Sequence, residues 1–313
     1  MFTLYKKRDF SDYVSDTFQF FRETGKHYFR NYFTICGVLL MVLVVLSYFL
    51  FQLYFDFFLN FDPSNNNAHF LQNLIQNNAA VIFLGAIFMF LFIILLSMLN
   101  YSIPVIYMDL YDKNKGNNFE TKDILNVFKS KFGRIIVFFL GLIFLITPLL
   151  MFLFVLLILL CFILIGIPML LFFIPAAVSW ITLSFYEYFN HDKGFFESLG
   201  NGFKHLKNQF FPNVGALMIM YIIIQISMSV FTIIPYMFGM ASMLTSTQNG
   251  GPINSDSLST VKIMLTIVMV ISMLMSYVLN NLLLVNQGLV YYSRREYNEN
   301  ISSQDSIDLI GSE

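Results

Sequence analysis

The stretch RIIVFFLGLIFLITPLLMFLFVLLILLCFILIGIPMLLFFIPAAVSWITLSFYEY, Arg134–Tyr188, decides the fold. One membrane crossing needs about 20 apolar residues rising about 1.5 Å each through a hydrocarbon core of about 30 Å. The quoted run is far longer than that, so it reads as two crossings, Arg134–Leu160 and Phe162–Tyr188. Gly166 and Pro168 place a tight turn between them; the rival reading, one long kinked helix, would overrun the bilayer.

Four further windows qualify on the same criterion: Tyr32–Leu59, Ala79–Met108, Pro212–Met240 and Val261–Tyr292. Composition agrees. The chain is 57% hydrophobic and 12% charged, against roughly 25% charged in soluble domains, and its mean hydropathy is +0.69. The expected fold class is all-α: a polytopic membrane helical bundle of six transmembrane helices, with the lipid bilayer as solvent. Residues 1–292 are expected to form a single membrane domain and 293–313 a polar, disordered cytoplasmic tail. No secretory signal is read at the N-terminus, because the first apolar run begins only after some thirty residues and no small-residue cleavage site follows it.

The lysines and arginines set the orientation. All but Lys262 fall in the N-terminal segment, in the connections after the second and fourth spans, or in the tail. The positive-inside rule then puts both termini in the cytoplasm, and the expected location is a bacterial cytoplasmic (inner) membrane. The opposite loops, Asn60–Asn78 and Ala241–Thr260, are rich in Asn, Ser, Gly and Gln and read as solvated connections. A net charge of −1 and the lack of a separate basic domain point to no nucleic-acid partner.

Three segments on the basic side share a pattern of aromatic and basic residues before a pair of spans: Thr17-Phe-Gln-Phe-Phe21-Arg22, Leu125-Asn-Val-Phe128-Lys129 and Gly200-Asn-Gly-Phe203-Lys204. They suggest short amphipathic cytoplasmic helices at about 9–30, 119–132 and 194–210, and a threefold helix-plus-hairpin repeat. Their faces suit either the lipid interface or the surface of the bundle. Arg22, Lys26, Lys129, Lys131, Lys204 and Lys207 are the candidates for headgroup contact.

Reactive chemistry is not indicated. The four histidines are scattered, no metal-ligand spacing occurs, and no hydrolase or nucleotide-binding motif is present. No catalytic residue, metal or cofactor is expected. Cys36 and Cys161 lie in apolar runs and read as packing residues. Polar residues at membrane depth are the remaining suspects. Asn100, Gln225, Asn280, Asn281, Asn286 and Gln287 are candidates for a polar path or, in the favoured reading, for hydrogen bonds between helices. Asp109 and Glu187 lie near the basic side and read as solvated helix ends. Pro104, Pro148, Pro175 and Pro235 interrupt spans and read as kinks.

The order of a helix ending in Phe21-Arg22, Phe128-Lys129 or Phe203-Lys204 before each apolar hairpin resembles the bacterial six-span membrane domain attached to some glycerophosphodiester phosphodiesterases, and its stand-alone relatives. The phosphodiesterase domain is absent, so that activity is not implied. The resemblance implies at most a membrane accessory role. An apolar chain without a reactive constellation, carrying a basic collar, leads to the expectation of a non-enzymatic accessory or scaffold subunit of a membrane complex, with protein partners in the membrane or cytoplasm. The alternative is a transporter or lipid-handling protein with a polar path near the sixth span.

Overall fold

Hydrophobic periodicity turns into helix throughout. The computed structural model describes residues 2–59, 68–248 and 255–301, and no strand occurs among them. In chain order the helices are α1 (Phe10–Leu59), α2 (Ala68–Lys113), α3 (Thr121–Ser130), α4 (Phe132–Gly141), α5 (Thr147–Cys161), α6 (Gly166–Asn190), α7 (Phe195–Asn208), α8 (Phe210–Gln248) and α9 (Ser255–Glu299). A π-helical segment, Leu142–Ile146, joins α4 to α5. Pro148 explains it: proline cannot donate to the carbonyl four residues back and its ring crowds that oxygen, so the turn before it widens. Pro104, Pro175 and Pro235 each lie inside a continuing helix.

Among the described residues, six helical segments are long and apolar enough to cross a membrane: Phe10–Gln52, Phe83–Lys113, Phe132–Cys161, Gly166–Asn190, Phe210–Ala241 and Ser259–Glu299. Their outward surfaces are apolar. On α5 only Leu157 is buried, while Met151, Phe152 and Phe162 just beyond it are 65%, 65% and 86% exposed. Patches of that kind are not sustained in water. The chain is a multi-pass integral membrane protein with an all-α helical bundle.

Two differences from the sequence reading concern boundaries. The first amphipathic segment and the first span are one helix, Phe10–Leu59, because Gly25 alone between them is too weak a stop to end a helix. The corresponding joints at the second and third segments are real breaks, at Lys131 (φ −101°, ψ 8°) and Gln209 (φ −144°, ψ 65°). At the C-terminus, α9 continues to Glu299, so the first residues of the expected tail are helical and Arg294 is buried. The tail from residue 302 and the loop tips at 60–67 and 249–254 lie outside the described residues.

The chain divides into two compact units. One comprises Met1–Ile35, Asn100–Ile223 and Asn280–Glu313, the other Cys36–Leu99 and Ile224–Leu279. The described residues of the second unit belong to the C-terminal parts of α1 and α8 and the N-terminal parts of α2 and α9, with Cys36, Leu40, Leu43 and Leu96 buried. The first holds α3 to α7 and every functional candidate except Gln225. Within it α6 changes character along its length: Gly166–Val178 is largely exposed and apolar, whereas Ser179, Thr182–Phe189 are buried. α7 packs on that buried half. Gly202 makes this approach close, since a Cβ there would sit 2.6 Å from the Ser184 backbone nitrogen. The Trp180 indole N–H donates to the Leu199 carbonyl at 2.9 Å. α3 buries Ile124 and Phe128, and the Glu120 N–H donates to the Asp123 carboxylate at its start, 2.8 Å.

Candidate functional site

The C-terminal part of α9 carries four of the six candidate amides, and three of them are spent on neighbouring helices. Asn281 accepts from the Tyr28 hydroxyl of α1 at 2.7 Å. Asn286 donates to the Tyr13 carbonyl at 2.9 Å and to the Thr17 hydroxyl oxygen at 3.0 Å. Gln287 accepts from the Ser179 hydroxyl of α6 at 2.6 Å and donates to Asn286 at 3.1 Å. All three are fully buried. Asn100 on α2 is buried too and accepts from the Tyr32 hydroxyl at 2.8 Å. α9 therefore ties α1 and α6 into one polar seam. Gln225 is exposed on α8, in the other unit. Asn280 is half-buried and lines a cavity of about 390 Å³.

The seam continues into the charged region. Ser293 accepts from the Arg8 backbone N–H at 3.0 Å. The Arg294 guanidinium donates to Gln209 and lies within 3.5 Å of Asn213, joining α9 to the start of α8. The N-terminal residues 2–9 fold back over this region. The Phe2 N–H donates to the Tyr111 hydroxyl at 2.9 Å, and Arg8, with no exposed surface, donates to Asp16 at 2.9 Å and to the Leu4 and Thr3 carbonyls at 2.6 and 2.7 Å. Burial lowers the Arg8 pKa from its usual range, and Asp16 opposes that shift.

Glu187 departs from the sequence reading. It is 3% exposed rather than a solvated helix end. One carboxylate oxygen is 2.9 Å from the His205 imidazole of α7, and the other accepts from Lys193 at 3.0 Å. His191, one turn on, lies 4.0 Å away; burial lowers its pKa, against the pull of Glu187. These groups line a polar cavity of about 290 Å³ together with Asn201 and Lys204. Both oxygens of Glu187 are engaged, so the arrangement joins α6 to α7 through His205 and pairs the carboxylate with Lys193 in the connection between them. The i,i+4 spacing of Glu187 and His191 was visible in the sequence, but the approach of His205 depends on how α7 packs. Asp109 pairs with Lys113 on its own helix at 2.7 Å. Among the described residues no group of three or more His, Cys, Asp or Glu could hold a metal ion.

Of the candidate headgroup contacts, Arg22, Lys26, Lys129, Lys204 and Lys207 are exposed. Lys131 is engaged instead: it donates to the Phe189 carbonyl at 2.5 Å, sits 4.3 Å from the Phe189 ring centre and 3.9 Å from Asp192. Arg134 beside it donates to the Tyr188 and Lys193 carbonyls at 2.7 and 2.9 Å. These two cations cap the C-terminal end of α6, where unpaired carbonyls carry partial negative charge.

No protein-family model, curated protein or solved structure matches the chain.

Proposed function

We propose that this chain is a non-enzymatic accessory or scaffold subunit of a membrane complex, set in a bacterial cytoplasmic membrane with both termini in the cytoplasm. The observation that carries the reading is the fate of the amides. A route for a polar solute needs such groups to face water, whereas Asn100, Asn281, Asn286 and Gln287 hold helices of the same chain to one another. The exposed Arg22, Lys26, Lys129, Lys204 and Lys207 supply a cationic surface suited to anionic headgroups or to the acidic face of a partner. The skewed distribution of lysine and arginine supports the orientation. The likeness to the six-span membrane domain of some glycerophosphodiester phosphodiesterases supports the same reading, because that domain is an appendage to an enzyme and not the enzyme itself.

A second reading, a lipid-handling protein, is favoured by the apolar cavity at Asn280. The two separate experimentally. The tagged full chain, purified in mild detergent, is expected to bring down defined partners at fixed stoichiometry. Proteoliposomes holding the purified chain alone that move an ion, or carry lipid from one leaflet to the other, would replace the scaffold reading with the second.

A further inference from the structure

The cavity beside Asn280 has a composition that specifies its occupant. Its walls come from four helices of one unit: Tyr101 of α2, Ile174 and Val178 of α6, Leu217 and Tyr221 of α8, and Asn280 of α9. At about 390 Å³ it has the size of a small-molecule site, within the usual range of roughly 300–1,000 Å³. No charged side chain lines it. Ile174 and Val178 stand one turn apart, as do Leu217 and Tyr221, so two helix ridges form facing apolar walls. Ile174, Tyr221 and Ile222 are 54%, 51% and 53% exposed. The cavity therefore opens onto the outer apolar surface of the spans, where the surrounding medium is hydrocarbon.

Asn280 provides the second observation. Successive helix residues point about 100° apart, so while Asn281 reaches Tyr28, Asn280 turns to the cavity. It makes no hydrogen bond with the described residues, and neither do the Tyr101 and Tyr221 hydroxyls that share the cavity. Unpaired polar groups in such surroundings are costly unless a ligand satisfies them. The mouth opens onto hydrocarbon and most of the lining is apolar, so lipid rather than bulk water is the medium that supplies the occupant. A free carboxylate or phosphate would find no counter-ion. A neutral ester carbonyl on a long alkyl chain satisfies both the walls and the amide.

We infer that this cavity binds one esterified acyl chain of a bilayer lipid, its ester carbonyl accepting from the Asn280 amide. This goes beyond the scaffold reading and does not depend on it, since a site filled by a resident lipid suits a subunit with or without partners.

The full chain is reconstituted in vesicles of phosphatidylethanolamine and phosphatidylglycerol that include phosphatidylethanolamine with a diazirine in one acyl chain. After irradiation the adducts are mapped by mass spectrometry. Adducts are expected on residues 170–178 and 217–222. Ile174→Trp and Ile222→Trp, which fill the mouth from two different helices, should each abolish them, provided the variant elutes as a single species. Asn280→Leu should lower them about fivefold, the effect of one hydrogen bond. Leu153→Trp, on the exposed face of α5, should leave them unchanged. Labelling at these residues that ignores both mouth variants, or that is no stronger than on the outward face of α5, overturns the site. Equal labelling by a free diazirine fatty acid of the same chain length overturns the ester assignment.

Discussion

Arg8 enters the sequence as one more cation of a basic N-terminal segment, yet its guanidinium has no exposed surface and binds Asp16 and two carbonyls of residues 3 and 4. It works as the pin that holds residues 2–9 against α1 and α9. Removing one partner of a buried ion pair leaves the other uncompensated, at a cost of about 3–5 kcal/mol; Lys6, 3.1 Å from Asp16, offsets part of that. Arg8→Met is therefore expected to cost about 3 kcal/mol and to open residues 2–9 to protease, measured by unfolding in detergent and by limited proteolysis. His191 gives a pH dependence. Burial holds its folded-state pKa below the ordinary value of about 6.5, so the unfolded chain takes up the proton first. Its contribution is complete above about pH 6.5 and is lost as pH falls from there toward the folded-state value. His191→Asn should flatten the decline in melting temperature between about pH 7 and pH 5. A wild-type decline that persists unaltered in the variant would remove His191 as its cause.

The helices show where a sequence speaks and where it does not. The turn joining α5 to α6 closes with backbone bonds from Phe162, Ile163 and Leu164 to Leu159, Leu160 and Cys161, and Leu164 takes φ +64°. That conformation costs a non-glycine residue about 1–2 kcal/mol, so Leu164→Gly should stabilise the hairpin by up to about 1 kcal/mol. Gly166→Ala should do the opposite, because a Cβ there would meet the Cys161 nitrogen and the Leu157 carbonyl. Thermal unfolding of the two variants in the same detergent decides the signs. The position of this turn was legible from Gly166 and Pro168, just as the spans were legible from their apolar runs, since both signals are local. The fusion of the first amphipathic segment with its span was less legible: the aromatic and basic pattern ending at Phe21-Arg22 repeats before α4 and α8, but only those two joints break. The fate of Glu187 was not legible, because its partner His205 lies on α7 and reaches it only through the close approach at Gly202. Asn281 and Asn286 were readable as glue between helices, though the sequence named neither Tyr28 nor Thr17 as the partner. Asn280, adjacent to Asn281 and chemically identical, was indistinguishable from it until the helix fixed which way each side chain turned.

At the scale of the whole molecule, the proposed orientation rests on an inequality of charge that packing does not erase. Some of the cations that mark the basic side are consumed internally, Arg8 by Asp16 and Lys131 and Arg134 by the end of α6. Others, among them Lys122 on α3 and Lys204 on α7, remain exposed. Carrying such residues through hydrocarbon costs about 2.5–3.5 kcal/mol each on insertion scales, which is why the proposed orientation keeps the segments holding them on the side of synthesis. In a chain with Cys36 and Cys161 replaced, single cysteines at Lys122 and Lys204 are therefore expected to escape a membrane-impermeant maleimide in intact cells and to react once the inner membrane is opened. A cysteine at Thr260, next to the lone opposite cation Lys262, should show the reverse pattern. Labelling of Lys122→Cys or Lys204→Cys in intact cells would invert the orientation, and would move the exposed cationic surface out of reach of cytoplasmic partners. Because the scaffold reading draws those partners to that surface, the topology experiment also bears on function.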